Sequence, residues 1–465
     1  MREESMRFHC ARARSAALTL ALLAGLIGPC RSQPAPIMTP YLGSDEFKRH
    51  FLAGEGTRAE LEPRLATAEE KQRMREISDL IATNPRQAVG ALEEYVRDGT
   101  NALFDLTLGN LYFQGGDIDR AAARFFQATK KSPNFLRAHK NLGIALFQKG
   151  RNAEAIKSLT RAVELGGADG TVLGILGLAY LNAERWLSAE SAYRSALLLQ
   201  PDVPDWKLGL ARALFPQQKF GEVAALMEEM IAEAPDQTEY WMLQARAFIG
   251  SNQPMKAAEN FEMLIRLNKV TPEVLGLLSD IYVGEKLYGL AARVYVLGID
   301  VAPENGLSMA VRGAETLAGR GALSATKEVV ATLRAAGSDG LVAEDRMRLL
   351  KAEVRVTVAE GKDDGAAQTL HQIVEMNPLD GEALLSLARY HRSKGELDEA
   401  IFMCERAEGI PAFEADARVR HAQVLVDQGK LEGAVPLLKR AQEIMPRSDV
   451  GQLLVEVERA IRSGS

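Results

Sequence analysis

The stretch Leu108-Gly109-Asn110-Leu111-Tyr112, followed by Ala121, Phe125, Ala128 and Pro133, decides the fold. Its pattern of small and large residues returns 34 residues later, and again after that. Starting at Ala102, seven windows of 34 residues follow one another to Asp339; three more run from Met347 to Asp380, Gly381 to Glu414 and Ala415 to Ser448. Position 8 reads Gly109, Gly143, Gly177, Ala211, Ala245, Ser279, Gly313, Val354, Ala388 and Ala422, all small but one. Position 20 is Ala in every window except at Val223. A fixed period of this length marks an array of helical units, each buried against its neighbours.

Small residues recur because two helices must approach closely, and a large side chain would push their axes beyond the ~8–10 Å at which side chains interdigitate. Large residues at positions 11 and 24, such as Tyr112 with Phe125, Tyr180 with Tyr193 and Tyr282 with Tyr295, fill the space beside them. Tight turns come from Gln114-Gly115-Gly116-Asp117, Gln148-Lys149-Gly150-Arg151 and Ser393-Lys394-Gly395-Glu396. Pro133, Pro201, Pro235, Pro303, Pro378 and Pro446, at position 32, end the second helix, because proline cannot donate to the helical ladder.

In period and signature the chain resembles the tetratricopeptide repeat from Ala102 to Ser448. The resemblance implies an all-α fold: an α-solenoid, a right-handed superhelix of about ten antiparallel helix pairs plus caps. Three repeats depart from the pattern, with Gly167 and Lys269 where proline is usual and Val329 in place of an aromatic. Residues 340–346 interrupt the period, which predicts a local break or a lengthened helix there, and a division into two lobes. Before the first window, residues 67–101 read as a degenerate helical pair with Asn84-Pro85 at its centre and Arg75 at the place of position 8. Residues 449–465 read as a capping helix with Leu453, Leu454, Val457 and Ile461 on one face.

The N-terminus reads as an export signal over residues 1–30. Arg2, Arg7, Arg12 and Arg14 precede an apolar run from Ala16 to Ile27, too short for a spanning helix. Two forms of export stand open: ordinary cleavage between Gly28 and Ala35, or lipidation of Cys30, with membrane attachment, as in bacterial lipoprotein signals. Ile27 suits the second; Pro29 departs from it. An uncleaved anchor is a third. The expected location is periplasmic or outer-membrane-associated. Residues 31–66 read as a tether rich in Pro, Gly and polar residues. Beyond Cys10 and Cys30 in the leader, Cys404 is the remaining cysteine, so no disulfide framework exists, and its place on an apolar face reads as a small buried hydrophobe.

With 47% hydrophobic and 25% charged residues the chain is ordinary globular material, and a net charge of −6 gives no reason to expect a nucleic-acid partner. No HExxH, CxxC, Walker loop or GxSxG elbow is present, and His371, His391 and His421 lack metal-site spacing. The expectation is a non-enzymatic protein without cofactor or metal.

In the resembled family the first helix of each pair lines a concave groove, which implies a protein or peptide partner. Carried onto this chain, that face includes Asn110, Phe113, Arg137, Lys140 and Asn141. Asn110 and Asn141 fall where some relatives clamp a terminal carboxylate, yet Leu106, Thr171 and Ile175 stand where that clamp needs cations. Position 9 brings Arg212 and Arg246 in adjacent windows, then Arg355 and Arg389; Arg348, Lys351 and Arg392 lie beside the later pair. Such arginines suit acidic or phosphorylated segments through bidentate contacts. The alternative is that they pair with Glu239, Glu382 or Asp416 on neighbouring helices. The function expected is a scaffold within a bacterial envelope assembly; the runner-up is an accessory for polysaccharide export or anionic glycan handling. Oligomeric state stays open.

Overall fold

The computed structural model describes residues 62–301, 303–337 and 340–464. The leader, Cys30 and all of the tether before Glu62 lie outside the described residues. The described chain is helical from end to end, with no strand among the described residues. The first pair is α1 (Ala68–Thr83) and α2 (Pro85–Tyr95); the ten repeats follow as α3 (Ala102–Gln114) and α4 (Ile118–Lys131), α5 (Leu136–Gln148) and α6 (Asn152–Glu164), α7 (Gly170–Asn182) and α8 (Trp186–Leu199), α9 (Pro204–Leu214) and α10 (Phe220–Glu233), α11 (Thr238–Gly250) and α12 (Pro254–Arg266), α13 (Pro272–Gly284) and α14 (Tyr288–Val301), α15 (Pro303–Gly319) and α16 (Leu323–Ala336), α17 (Ala343–Ala359) and α18 (Asp363–Met376), α19 (Gly381–Lys394) and α20 (Leu397–Glu408), and α21 (Glu414–Asp427) and α22 (Leu431–Ile444), closed by α23 (Ser448–Gly464). The contacts fall into two bodies divided between Ala257 and Ala258, within α12. That division is not at residues 340–346, where the sequence suggested one. There α17 begins at Ala343, four residues before the window does, so the extra residues become an added helical turn.

Within each repeat the helices stop for a local reason. At position 15 nine repeats carry a residue with φ between 57° and 80°, from Gly116 and Gly150 to Glu184, Gln218, Asn252 and Lys286, then Gly361, Gly395 and Gly429. The next amide then bonds back five residues, as Asp117 N does to Tyr112 O (2.9 Å) and Glu396 N to His391 O (2.9 Å). This left-handed closure satisfies carbonyls that the helix end leaves bare. In eight repeats the second helix stops by either of two devices. Proline follows it at Pro133, Pro201, Pro235, Pro378 and Pro446, whereas Gly166, Asn268 and Gly337 take positive φ where that proline is missing. Pro303 is an exception to its expected role: it is the first residue of α15, a position where its missing N–H costs nothing.

The seventh repeat corrects the sequence register. Its left-handed residue is Gly321, one place late, and the backward bond runs from Ala322 N to Leu317 O (2.9 Å). The true small positions are therefore Ala314 and Thr326, both fully buried, one residue beyond Gly313 and Ala325.

Glycine at position 8 gives its space to the residue at position 24. A Cβ on Gly109 would lie 2.5 Å from the Phe125 ring, and one on Gly143 would lie 2.5 Å from Leu159 Cγ and 3.1 Å from the Leu159 backbone N. Phe125 and Leu159 are fully buried. Burial of each such side chain contributes about 1.5–3 kcal/mol. First helices such as α3 and α7 are apolar almost all round because they are covered on more than one side, while α4 keeps a polar outer face.

Candidate groove face on the first helices

In the N-terminal body, most of the expected groove residues are already engaged. Asn141 is buried and its Nδ2 donates to Asn110 Oδ1 at 2.8 Å, so these two amides join α5 to α3. Lys140 Nζ lies 2.6 Å from Asp169 Oδ2. Arg137 pairs with Glu62, the first described residue of the chain. Arg212 pairs with Glu239, one of the partners the charge pattern had suggested. Arg246, on α11, is half-buried. Phe113 is not a groove anchor: it is 4% exposed and belongs to the core, because α3 is covered on that side as well. Half-buried Phe215, just after α9, packs edge-on against Phe220, with ring centroids 5.3 Å apart.

In the C-terminal body the basic cluster separates into spent and unspent cations. Arg348 pairs with Glu344 at 2.6 Å, and Lys351 with the buried Asp380 at 2.7 Å. Arg392 donates to Asp427 Oδ1 at 3.0 Å and to Gln423 at 3.1 Å; the hydrogen bond to Asp427 holds it above its ordinary pKa. Among the described residues neither Glu382 nor Asp416 takes a groove arginine; Asp416 accepts from Arg447 at 2.8 Å. Arg355 and Arg389, at position 9 of consecutive repeats, are exposed and make no hydrogen bond or ion pair among the described residues. Their guanidinium groups each offer five donors in a planar fork.

Several buried polar clusters escaped the sequence reading. Asp105, 1% exposed in the apolar run of α3, meets Lys131 at 2.5 Å and Arg124 at 3.6 Å. Glu190 meets Lys219 at 2.8 Å and Arg194 at 3.0 Å, and its carboxyl is lowered by these donors in spite of burial. Glu408 receives His421 Nδ1 at 2.7 Å and Arg418 at 3.2 Å. A carboxylate set in an otherwise apolar first helix is the signal that would have found Asp105. These clusters tie one helix to the next, as charges below the surface must be paired. His371 and His391 meet edge to face with centroids 5.8 Å apart, and His391 Nδ1 lies 2.6 Å from Glu396. Cys404 is fully buried, and burial pushes its thiol up to about 12. No described helix is long and apolar enough to cross a membrane.

Family models described as tetratricopeptide repeat match residues 106–169, 180–247 and 352–417. Among curated proteins, a Drosophila melanogaster "BBSome complex member BBS4 homolog" is 29% identical over 97 residues, which cover 21% of this chain and 20% of that protein. The human "Cilia- and flagella-associated protein 70" is 33% identical over 95 residues, covering 20% of this chain and 8% of that one. The chain thus spans about a fifth or less of the curated relatives it matches. Among solved structures, "YrrB: a TPR protein with an unusual peptide-binding site" aligns with a TM-score of 0.38 at 16% identity, covering 42% of this chain and 97% of that one. Repeats of this kind generally mediate contacts between proteins. Each matched segment falls on helix pairs that share the same small residues, left-handed turns and helix stops, and over these segments the chain is built of tetratricopeptide repeats.

Proposed function

We propose that the chain is a non-catalytic scaffold that holds an acidic segment of a partner protein against Arg355 and Arg389. One observation carries this reading: every neighbouring cation of that cluster is spent on an internal carboxylate, while these two are exposed without one among the described residues. Exposed charges of one sign, fixed to equivalent positions of successive repeats, offer an extended ligand two charge-assisted contacts one repeat apart. The setting we propose is an exported one, within a bacterial envelope assembly. It rests on the basic residues before the Ala16–Ile27 run, and lipidation of Cys30 belongs to the same proposal.

The test is a crosslinking pull-down from an envelope fraction with the wild-type chain and with Arg355→Glu/Arg389→Glu, after circular dichroism has shown both to be folded. A protein captured by the first and lost by the second supports the reading. An unchanged capture pattern removes these arginines from the binding surface. Salt-sensitive retention of an acidic glycan, without any protein, would favour the role in glycan handling.

A further inference from the structure

The chain's own N-terminal residues occupy the first-helix face of the second repeat. Glu62 Oε2 accepts from an Arg137 terminal nitrogen at 2.5 Å, and Oε1 meets Arg137 Nε. The two side chains are largely shielded, at 18% and 31% exposure. Two residues on, the Arg64 carbonyl accepts from Asn101 Nδ2 at 2.9 Å, while Asn101 Oδ1 caps α3 through Leu103 N at 3.1 Å. Leu65 then packs against the core of the N-terminal body. Residues 63–66 have no helical structure, and Pro63 restricts the chain where it leaves Glu62.

A charge, a main-chain carbonyl and an apolar side chain are thus read in order along a short non-helical segment. Repeat surfaces and other peptide-binding folds recognise linear segments through this combination of contacts. The surroundings reinforce the assignment. On α5, Lys140 is spent on Asp169, Asn141 on Asn110, and His139 Nε2 lies 3.0 Å from Pro133 O. Arg137 is therefore the cation of α5 that an incoming acidic group can address, and Glu62 holds it.

We infer that Glu62–Leu65 is an intramolecular ligand seated in a peptide site formed by Arg137, Asn101 and the apolar edge of the first repeats. The site takes a segment in which an acidic residue is followed three residues later by a leucine-sized apolar one. A partner segment of that chemistry binds by displacing the resident one, so its apparent affinity is reduced by the fraction of time the site is self-occupied. This inference uses neither Arg355 nor Arg389, and its failure leaves the reading of those two residues standing.

The experiment uses the full chain and a fluorescein-labelled synthetic peptide with the sequence of residues 60–67. The variant Glu62→Ala/Leu65→Ala removes both anchors and vacates the site, and circular dichroism checks that it keeps its helices. The peptide is expected to bind this variant at least about tenfold more tightly than the wild type, by fluorescence anisotropy. Adding Arg137→Glu to the vacated variant abolishes that binding, as does lysine in the peptide in place of the glutamate that precedes its proline. Equal affinity for wild-type and vacated chains, or binding indifferent to Arg137→Glu, overturns the inference. A second measurement needs no ligand: trypsin cleavage after Arg64 is slow in the wild type and accelerates in Arg137→Glu. Equal cleavage rates show that Glu62–Leu65 is not held, and overturn it independently.

Discussion

Lys140 and Asp169 stand 29 residues apart in sequence and 2.6 Å apart in space, and Asp169 serves two helices at once. Its Oδ1 accepts from Val172 N at 2.7 Å, capping α7, while its Oδ2 takes the Lys140 ammonium from α5. The arrangement recurs six repeats later, where Asp380 caps α19 through Ala383 N at 3.1 Å and pairs with Lys351 at 2.7 Å. In both repeats the lysine is at position 5 and the aspartate is the last residue of its window. A cap thereby becomes a clamp between successive repeats.

Removing the carboxylate should therefore cost more than removing the lysine. Asp169→Ala and Asp380→Ala are each expected to lower stability by about 1–2 kcal/mol through the lost cap. Lys140→Ala or Lys351→Ala should cost about 0.2–1 kcal/mol. Urea unfolding of the singles and doubles measures the coupling, which should be larger at Asp380, at 8% exposure, than at the more open Asp169. Zero coupling at both sites would dissolve the clamp.

Two glycines should respond in opposite directions to the same substitution. Gly143→Ala drives a methyl group into Leu159, whose backbone N cannot swing aside, and is expected to cost about 1–3 kcal/mol. Gly90, in the middle of α2, meets nothing within 4 Å, so Gly90→Ala should stabilise by about 0.5–1 kcal/mol. Thermal unfolding of the two variants, side by side, decides it. A neutral Gly143→Ala would mean that the helices separate freely there.

Cys404 should behave as an inert core residue. With its thiol pushed up to about 12 and no exposed surface, the thiolate that reacts with disulfide reagents is scarce at neutral pH. In a Cys10→Ser/Cys30→Ser background, modification by Ellman's reagent at pH 8 is expected to follow the rate of unfolding. Prompt reaction of the folded chain contradicts this placement.

Glu360 gives the acid limb of stability a distinct signature. Hydrogen bonds from Lys327 and Lys362 bring its carboxyl from an ordinary 4.5 down to about 2. A group whose pKa is depressed by folding stabilises above its unfolded value and loses that contribution as pH falls through the folded one. The melting-temperature difference between wild type and Glu360→Gln should therefore be full above pH 4.5 and close as pH approaches 2. A difference that stays constant across this window would show that the two lysines do not hold Glu360.

Much of the fold was legible because its signals are local and repeated. The period announced the helix pairs, Gly116 and Gly150 announced their turns, and Pro133 and Pro201 announced where second helices stop. The seventh repeat was misread by one residue because both candidate registers look alike: Gly313 and Ala314 are each small, as are Ala325 and Thr326. Only the left-handed Gly321 separates them. Phe113 was misplaced for a related reason, since the exposed and covered faces of an almost wholly apolar helix cannot be told apart by pattern.

The sequence by itself determined that this protein is built of antiparallel helix pairs, and where most of them turn and end. Those outcomes depend on φ preferences and on the room a side chain leaves beside its own helix, both settled within a few residues. Only the tertiary structure decided which charges are available. Arg212, Lys351 and Arg392 are spent on carboxylates 27, 29 and 35 residues away, Arg137 on one 75 residues away, and Arg355 and Arg389 on none among the described residues. Long flexible side chains choose partners by where separate helices bring their tips, and that geometry has no counterpart in the spacing of residues along the chain.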